Sequence, residues 1–147
     1  MSYLLDTNVV LLATRAGSKA SAAIDAQFQL SSARFRPAIC EVSVGELRAF
    51  ARSNTWGEKR KVLLEQQINR SLVIPIASPG VHEKWAEMYS ALRAAGQTVE
   101  QNDIWIAATA SVAGLTVLTT DKDFRRIRAT VAVSARILDI HTGIEIP

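Results

Sequence analysis

The sequence predicts an α/β fold built on a central, mostly parallel sheet. Two observations predict it. Short apolar runs of strand length alternate with helical segments throughout the chain, the pattern of a parallel sheet covered on both faces. Two of those runs also end abruptly on an acid. Tyr3-Leu4-Leu5 runs into Asp6, and Leu115-Thr116-Val117-Leu118-Thr119-Thr120 runs into Asp121. Open α/β sheets hold their ligands in the crevice outside the carboxyl ends of the strands.

The elements follow in order. Tyr3 to Leu5 reads as a buried strand. Val9-Val10-Leu11-Leu12-Ala13 reads as a first short helix, ended near Gly17. Ser18 reads as the N-cap of a second helix through about Ser31, with Ala22, Ala23, Ala26 and Leu30 on one face. Arg36 to Cys40 is a short strand with Pro37 near its start. Ser43-Val44-Gly45-Glu46-Leu47 opens a helix to about Ser53, and Asn54 to Gly57 is a turn. Glu58 to Arg70 is amphipathic, with Val62, Leu63, Gln66 and Ile68 near its buried side. Leu72 to Ile76 is a third strand. Pro79 suits the first turn of a helix, where its missing N–H is no loss. That helix runs to Ala95 and stops at Gly96, a C′ glycine. Gln97 to Asn102 is a polar loop. Asp103 to Ala113 is a strongly apolar helix closed by Gly114. After the strand to Thr119, a short helix passes through Phe124 and Ile127. Arg136 to Ile140 is a last strand before a plain tail.

Composition sets the broad class. At 147 residues with 48% hydrophobic and 21% charged residues, the chain is expected to form a single domain over 1–147 with a sizeable core. A single cysteine, Cys40, excludes an internal disulfide framework and fits a reducing compartment. Met1-Ser2-Tyr3 enters a strand with no basic leader, and no run of about 18 apolar residues exists. A cytoplasmic protein with no membrane span is expected. Net charge is +3, from 17 basic and 14 acidic residues. Setting four clustered acids aside leaves 17 basic against 10 acidic residues, or +7 for the remainder, an acidic pocket on a basic body.

Four acids carry the chemistry. Each has an ordinary explanation when taken alone. Asp6 suits the N-cap of the next helix, Glu46 a solvated helix face, Asp103 the start of a helix, and Asp121 or Asp123 a cap. Together they sit where strand ends and helix starts meet on one side of a parallel sheet. Carboxylates gathered there repel, and some stay protonated unless a cation joins them. Oxygen ligands without a neighbouring His or Cys select Mg²⁺ or Mn²⁺ over zinc. His82 and His141 have no companion at metal-ligand spacing and read as surface residues. Cys40 reads as a buried small apolar residue. Neither a phosphate-binding Walker motif, a glycine-rich dinucleotide fingerprint nor a nucleophile elbow is present.

The set Leu5-Asp6-Thr7-Asn8, Ser43-Val44-Gly45-Glu46-Leu47, Asn102-Asp103-Ile104-Trp105-Ile106-Ala107-Ala108-Thr109-Ala110 and Leu118-Thr119-Thr120-Asp121-Lys122-Asp123-Phe124 resembles a PIN-domain ribonuclease. It is most similar to the VapC toxins of bacterial type II toxin–antitoxin pairs. The resemblance covers nearly the whole chain. It implies a PIN-like three-layer α/β/α architecture and an Mg²⁺-dependent endoribonuclease, with Mn²⁺ as a possible substitute. Asp6, Glu46 and Asp103 match the family's metal-binding acids, and Asp121 matches a more variable fourth position that Asp123 could share. Thr7 belongs to the first motif, while Asn8 and Thr119 match polar positions that hold the acids or a bound water. Short hydroxyl and amide side chains beside acids are what such support requires. The resemblance also implies an RNA substrate, a cognate antitoxin and a homodimer. Arginines and lysines after Glu46 and Asp123 could steer an RNA backbone. Phe50 and Trp56 have the composition of an interface anchor, and Trp56, beside Gly57 in a turn, is expected at the interface. Phe28 and Leu30 are expected to finish the core. Alternative readings are a PIN-fold housekeeping nuclease without an antitoxin, a PIN binding module whose site has decayed, an aspartyl phosphatase and a phospho-acceptor receiver domain. Asn8 stands where the phosphatase needs its second acid, and no late-sheet lysine is placed for the receiver.

Overall fold

The computed structural model describes residues 2–32, 34 and 36–147. Met1, read as leading straight into the first strand, lies outside them. The elements are β1 (Tyr3–Leu5), α1 (Thr7–Ala13), α2 (Lys19–Phe28), β2 (Ala38–Cys40), α3 (Glu41–Ser53), α4 (Glu58–Arg70), β3 (Leu72–Ile74), α5 (Val81–Ala94), α6 (Gln101–Ala113), β4 (Thr116–Thr119), α7 (Phe124–Thr130), β5 (Ala135–Leu138) and β6 (Glu145–Ile146). One sheet runs in the order β3-β2-β1-β4-β5-β6. All neighbours are parallel except β5 and β6. The α/β reading with a mostly parallel sheet therefore holds.

Side-chain alternation along each strand builds the layers, because successive residues point to opposite faces. Leu4, Ala38, Cys40, Val117, Ala135 and Ile137 join the core under α5, α6 and α7. Leu5, Ile39, Leu118 and Leu138 join the core on the other face, with residues of α1, α2, α3 and α4. The central strands β1 and β2 are apolar throughout, and Val117-Leu118 of β4 is the apolar centre of that strand, because both faces are buried there.

The order also fixes where a site can form. From β1 the chain moves outward through β2 to β3, then crosses back and lays β4 on the other side of β1. The switch point is thus the crevice between the carboxyl ends of β1 and β4. Asp6 follows β1 there and Asp121 follows β4, and the backbone N–H of Asp6 donates to Leu118 O at 2.9 Å.

Several local expectations change. In α2 the buried residues are Ala20, Ile24 and Phe28, whereas Ala22 and Ala26 are exposed. The large Ile24 and Phe28 choose the face, and the alanines are indifferent to it. This helix ends at Phe28, with Gln29 left-handed at φ 54°. Ser18 caps it as expected, accepting from Ser21 N at 3.1 Å. In α4 Leu64 and Ile68 are buried, while Val62 and Gln66 are exposed. Pro79 precedes α5, whose N-cap is Gly80 at φ +87°. The expected plain tail is the antiparallel strand β6. Gly143 permits that return, since a Cβ there would lie 2.5 Å from the Ala20 carbonyl oxygen.

Trp56 is also corrected. It is 8% exposed and packs in the core with Leu47, Ala51 and Leu64. A ring beside an exposed turn is drawn inward because α3 and α4 fold back on α1. Phe50 is the more open of the two, at 40%. Phe28 is buried and Leu30 packs against the same core. His82 and His141 are exposed, and Cys40 is buried and free. Among the described residues no helix is long and apolar enough to cross a membrane.

Candidate functional site

Asp6 is held from both sides. As N-cap of α1 its Oδ1 accepts from Thr7 N at 2.8 Å, so the capping expectation is met. Its other oxygen, Oδ2, accepts from Thr119 Oγ1 at 2.6 Å. The side chain is buried at 4% exposure. Burial pushes its pKa up to about 6; the nearby charges of Glu46 and Asp121 add to that rise, and the bonds from Thr119 and Thr7 oppose it.

Glu46 lies one turn beyond Ser43 on α3. The Thr7 hydroxyl donates to Glu46 Oε1 at 2.8 Å and lies 3.0 Å from Ser43 Oγ. Glu46 is thus anchored to the start of α1 and lines the cleft, rather than lying on a solvated helix face as its ordinary explanation taken alone would have it. Ser43 was not foreseen as part of this network. Its signal is a hydroxyl three positions before the acid, on the same helix face.

Asp103 sits in the first turn of α6, whose N-cap is Glu100. Burial pushes its pKa up to about 8, and Asp6, Asp121, Glu46 and Glu100 add to the rise. Glu100, assigned from sequence to a polar loop, is another acid at this site. Four charges acting on one carboxyl show how closely these groups share a field. Asp121 is half-buried, and its backbone N–H donates to Thr119 Oγ1 at 2.9 Å. Its Oδ1 accepts from Asp123 N at 2.8 Å. Asp123 is exposed, and its carboxylate pairs with Arg126 at 3.0 Å.

Asp6, Glu46, Asp103, Asp121 and Asp123 all line one open cleft of about 620 Å³, with Asn8 on its wall. Among the described residues, no group of three or more His, Cys, Asp or Glu side chains stands at metal-holding spacing. The acids share one cleft without standing as a closed ligand set. The donor chemistry is all oxygen and acidic, which fits a hard divalent cation.

No arginine or lysine lines the cleft among the described residues, and several of the basic residues that follow Glu46 and Asp123 in sequence are engaged elsewhere. Arg48 makes a two-pronged contact with Glu65, both bonds at 3.1 Å. Lys61 pairs with Glu58 at 3.5 Å, and Arg128 donates to Ala135 O.

Comparison with known proteins bears on the fold and the family. Over 85 residues the chain is 39% identical to Ribonuclease VapC4 of Mycobacterium tuberculosis, a match covering 56% of this chain and 65% of that protein. Among solved structures, FitAcB from Neisseria gonorrhoeae is similar at 28% identity with a TM-score of 0.71, covering 90% of this chain and 95% of the other. VapBC-5 from Mycobacterium tuberculosis, a member of the VapBC family of toxin-antitoxin systems, matches at 26% identity and a TM-score of 0.66, covering 92% and 96%. VapBC2 from Rickettsia felis, bound to a DNA fragment from their promoter, shares the fold with a TM-score of 0.78 at 22% identity, covering 95% and 100%. The PIN domain family model matches residues 3–129, which contain every acid of the cleft. With that match spanning β1 to α7 and the acids placed at the β1/β4 switch point, the chain is a member of the PIN-domain family.

Proposed function

We propose that the chain is an Mg²⁺-dependent endoribonuclease and the toxin of a toxin–antitoxin pair. The observation that carries the reading is the acid cleft. Asp6 and Asp103 are pushed up to about 6 and about 8 by burial and by their acidic neighbours, and a divalent cation is what lets such a group ionise together. Asp6, Glu46, Asp103 and Asp121 would hold the ion, with Asp123 at the rim beside Arg126. Mn²⁺ would serve in its place. An ion held by these residues would supply a bound water of lowered pKa and positive charge near the phosphodiester oxygens, the chemistry that phosphodiester hydrolysis needs.

The residues of the chain do the positioning. Thr119 and the start of α1 lock both oxygens of Asp6. Thr7 fixes the Glu46 carboxylate. Asn8, exposed on the cleft wall, presents an amide for a phosphate oxygen or a water. No side-chain nucleophile is required, and the products would carry a 5′-phosphate and a 3′-hydroxyl. Preference for RNA then rests on strand shape and contacts.

The relative named as a ribonuclease supports the activity, and the toxin–antitoxin structures support an antitoxin partner. An arginine from that partner would satisfy the carboxylates in place of the ion, since a guanidinium matches their geometry. A homodimer completes the proposed assembly.

The test is cleavage of single-stranded RNA by purified protein, with Mg²⁺ and with a chelator. Cleavage that requires Mg²⁺ and disappears in Asp103→Asn is expected. Metal-independent cleavage, or a near wild-type rate from Asp103→Asn, would overturn the mechanism. Co-purification with the product of a neighbouring gene tests the toxin role, and recovery of no partner would remove it.

A further inference from the structure

A cavity of about 340 Å³ opens at the C-terminal end of α1, lined by Arg15, Lys59 and Arg60 beside Thr14. Among the described residues none of these three cations makes an ion pair, although neighbouring Lys61 and Arg48 do. The Arg60 guanidinium lies over the Trp56 ring, 3.6 Å from its centroid. Its Nε donates to Thr14 Oγ1 at 3.3 Å. Its Nη2 is buried and has no hydrogen-bond partner. Burial, and then the charge of Arg15, lowers the pKa of Arg60. Two guanidinium groups thus lie within each other's field. The bond to Thr14 accounts for Nε and leaves Nη2 without a partner, although buried donors are normally paired.

The cavity is joined to the acid cleft in two ways. Helix α1 runs between them, with Thr7 and Leu11 on the cleft and Thr14 on the cavity. At 1.5 Å per residue the path from Asp6 to Thr14 is about 12 Å. The second link is aromatic. Phe50 lines the acid cleft and meets Trp56 edge-to-face with ring centroids 5.8 Å apart, and Trp56 carries Arg60.

We propose that the cavity formed by Arg15, Lys59 and Arg60 is a phosphate subsite for the same single RNA strand whose scissile linkage meets the acids, with Phe50 in contact with an intervening base. This rests on the ribonuclease reading. Acid cleft, exposed aromatic ring and cation pocket succeed one another along one path, as the phosphates and bases of a single strand do. Arginine forks match phosphate oxygens two at a time, and the exposed Arg15 and Lys59 stand at the cavity with no ion-pair partner among the described residues.

The experiment measures binding of a fluorescent single-stranded oligoribonucleotide in Mg²⁺ by anisotropy, with Asp103→Asn as the uncleaving parent. Arg15→Gln/Lys59→Gln is added to that parent; both residues are exposed, and its melting temperature serves as a control for folding. The double change is expected to weaken binding about 10-fold and to flatten the log–log salt dependence by up to about 0.7, the value for one phosphate contact on a single strand. Phe50→Ala is expected to weaken binding while leaving the salt slope unchanged. An unchanged affinity and slope in the double variant overturns the subsite and leaves the ribonuclease reading standing. So does a loss of antitoxin binding with RNA binding intact, which assigns the cavity to a protein partner. A parent that neither binds the oligonucleotide nor, as wild type, cleaves it overturns the ribonuclease reading together with the subsite.

Discussion

Thr119 and Asp6 are joined by a 2.6 Å hydrogen bond between residues at the ends of adjacent strands β4 and β1, with 113 positions of chain between them. The same Thr119 oxygen accepts the backbone N–H of Asp121. One buried hydroxyl therefore ties two acids of the cleft to each other. Thr119→Val keeps the shape and removes both bonds. It is expected to cost about 1–3 kcal/mol, the price of leaving a buried polar group unpaired. Asp6 would also rise above its present pKa of about 6, because the bond that lowers it is gone. RNA cleavage at neutral pH is expected to fall by about 10–100-fold, as when an outer partner of a metal ligand is lost. Thr119→Ser should restore most of both; equal activity in Val and Ser variants would remove the hydroxyl from the mechanism.

Metal-free stability should depend on pH in a direction set by the two raised acids. Asp6 at about 6 and Asp103 at about 8 stand above the ordinary 3.8. Between roughly pH 4 and 8 the native protein keeps protons that the unfolded chain has released. Their stabilising contribution is present at low pH and is lost as pH rises through 6 and then 8. In a chelator the melting temperature should fall from pH 5 to pH 8.5, and Mg²⁺ should raise it more at pH 8.5 than at pH 5. Asp103→Asn should flatten both trends. A variant with the full wild-type dependence on pH and Mg²⁺ would show that Asp103 is not the group responsible.

Asp121 and Asp123 are expected to differ. Asp121 acts on the charge of both Asp6 and Asp103, whereas Asp123 is exposed and occupied by Arg126. Asp121→Asn should raise the Mg²⁺ concentration needed for half-maximal cleavage. Asp123→Asn should leave it within about twofold and change stability by no more than about 1 kcal/mol, as for other exposed pairs. A reversed order in a Mg²⁺ titration would place Asp123 in the ligand set.

Trp56 is expected to act through the fold. Buried against Leu47, Ala51 and Leu64, it should cost about 3–5 kcal/mol when cut to alanine. Denaturant unfolding of Trp56→Ala measures this directly. A variant as stable as wild type that fails to hold a partner would return Trp56 to the interface role its sequence context suggested.

Much of this was legible in the chain itself. The strands were visible because burial on both sheet faces demands uninterrupted apolar runs, as in Leu4-Leu5 and Val117-Leu118. The acids stood out because a carboxylate that ends such a run needs a reason to be there. Tertiary structure decided what local pattern could not. An alanine-rich helix such as α2 has little preference of its own for a face, and Ile24 and Phe28 choose it only when the sheet is present to receive them. The strand β6 exists because Gly143 lets the tail pass the Ala20 carbonyl, a contact with no trace near residue 143. Trp56 is buried because α3 and α4 fold over α1. The order of strands, which makes β1 and β4 neighbours and turns Asp6 and Asp121 into one site, is likewise a property of the assembled sheet. So is the meeting of Arg15 with Lys59 and Arg60. Sequence sets each residue's chemistry and local period, whereas charges and faces far apart in the chain acquire partners only through packing.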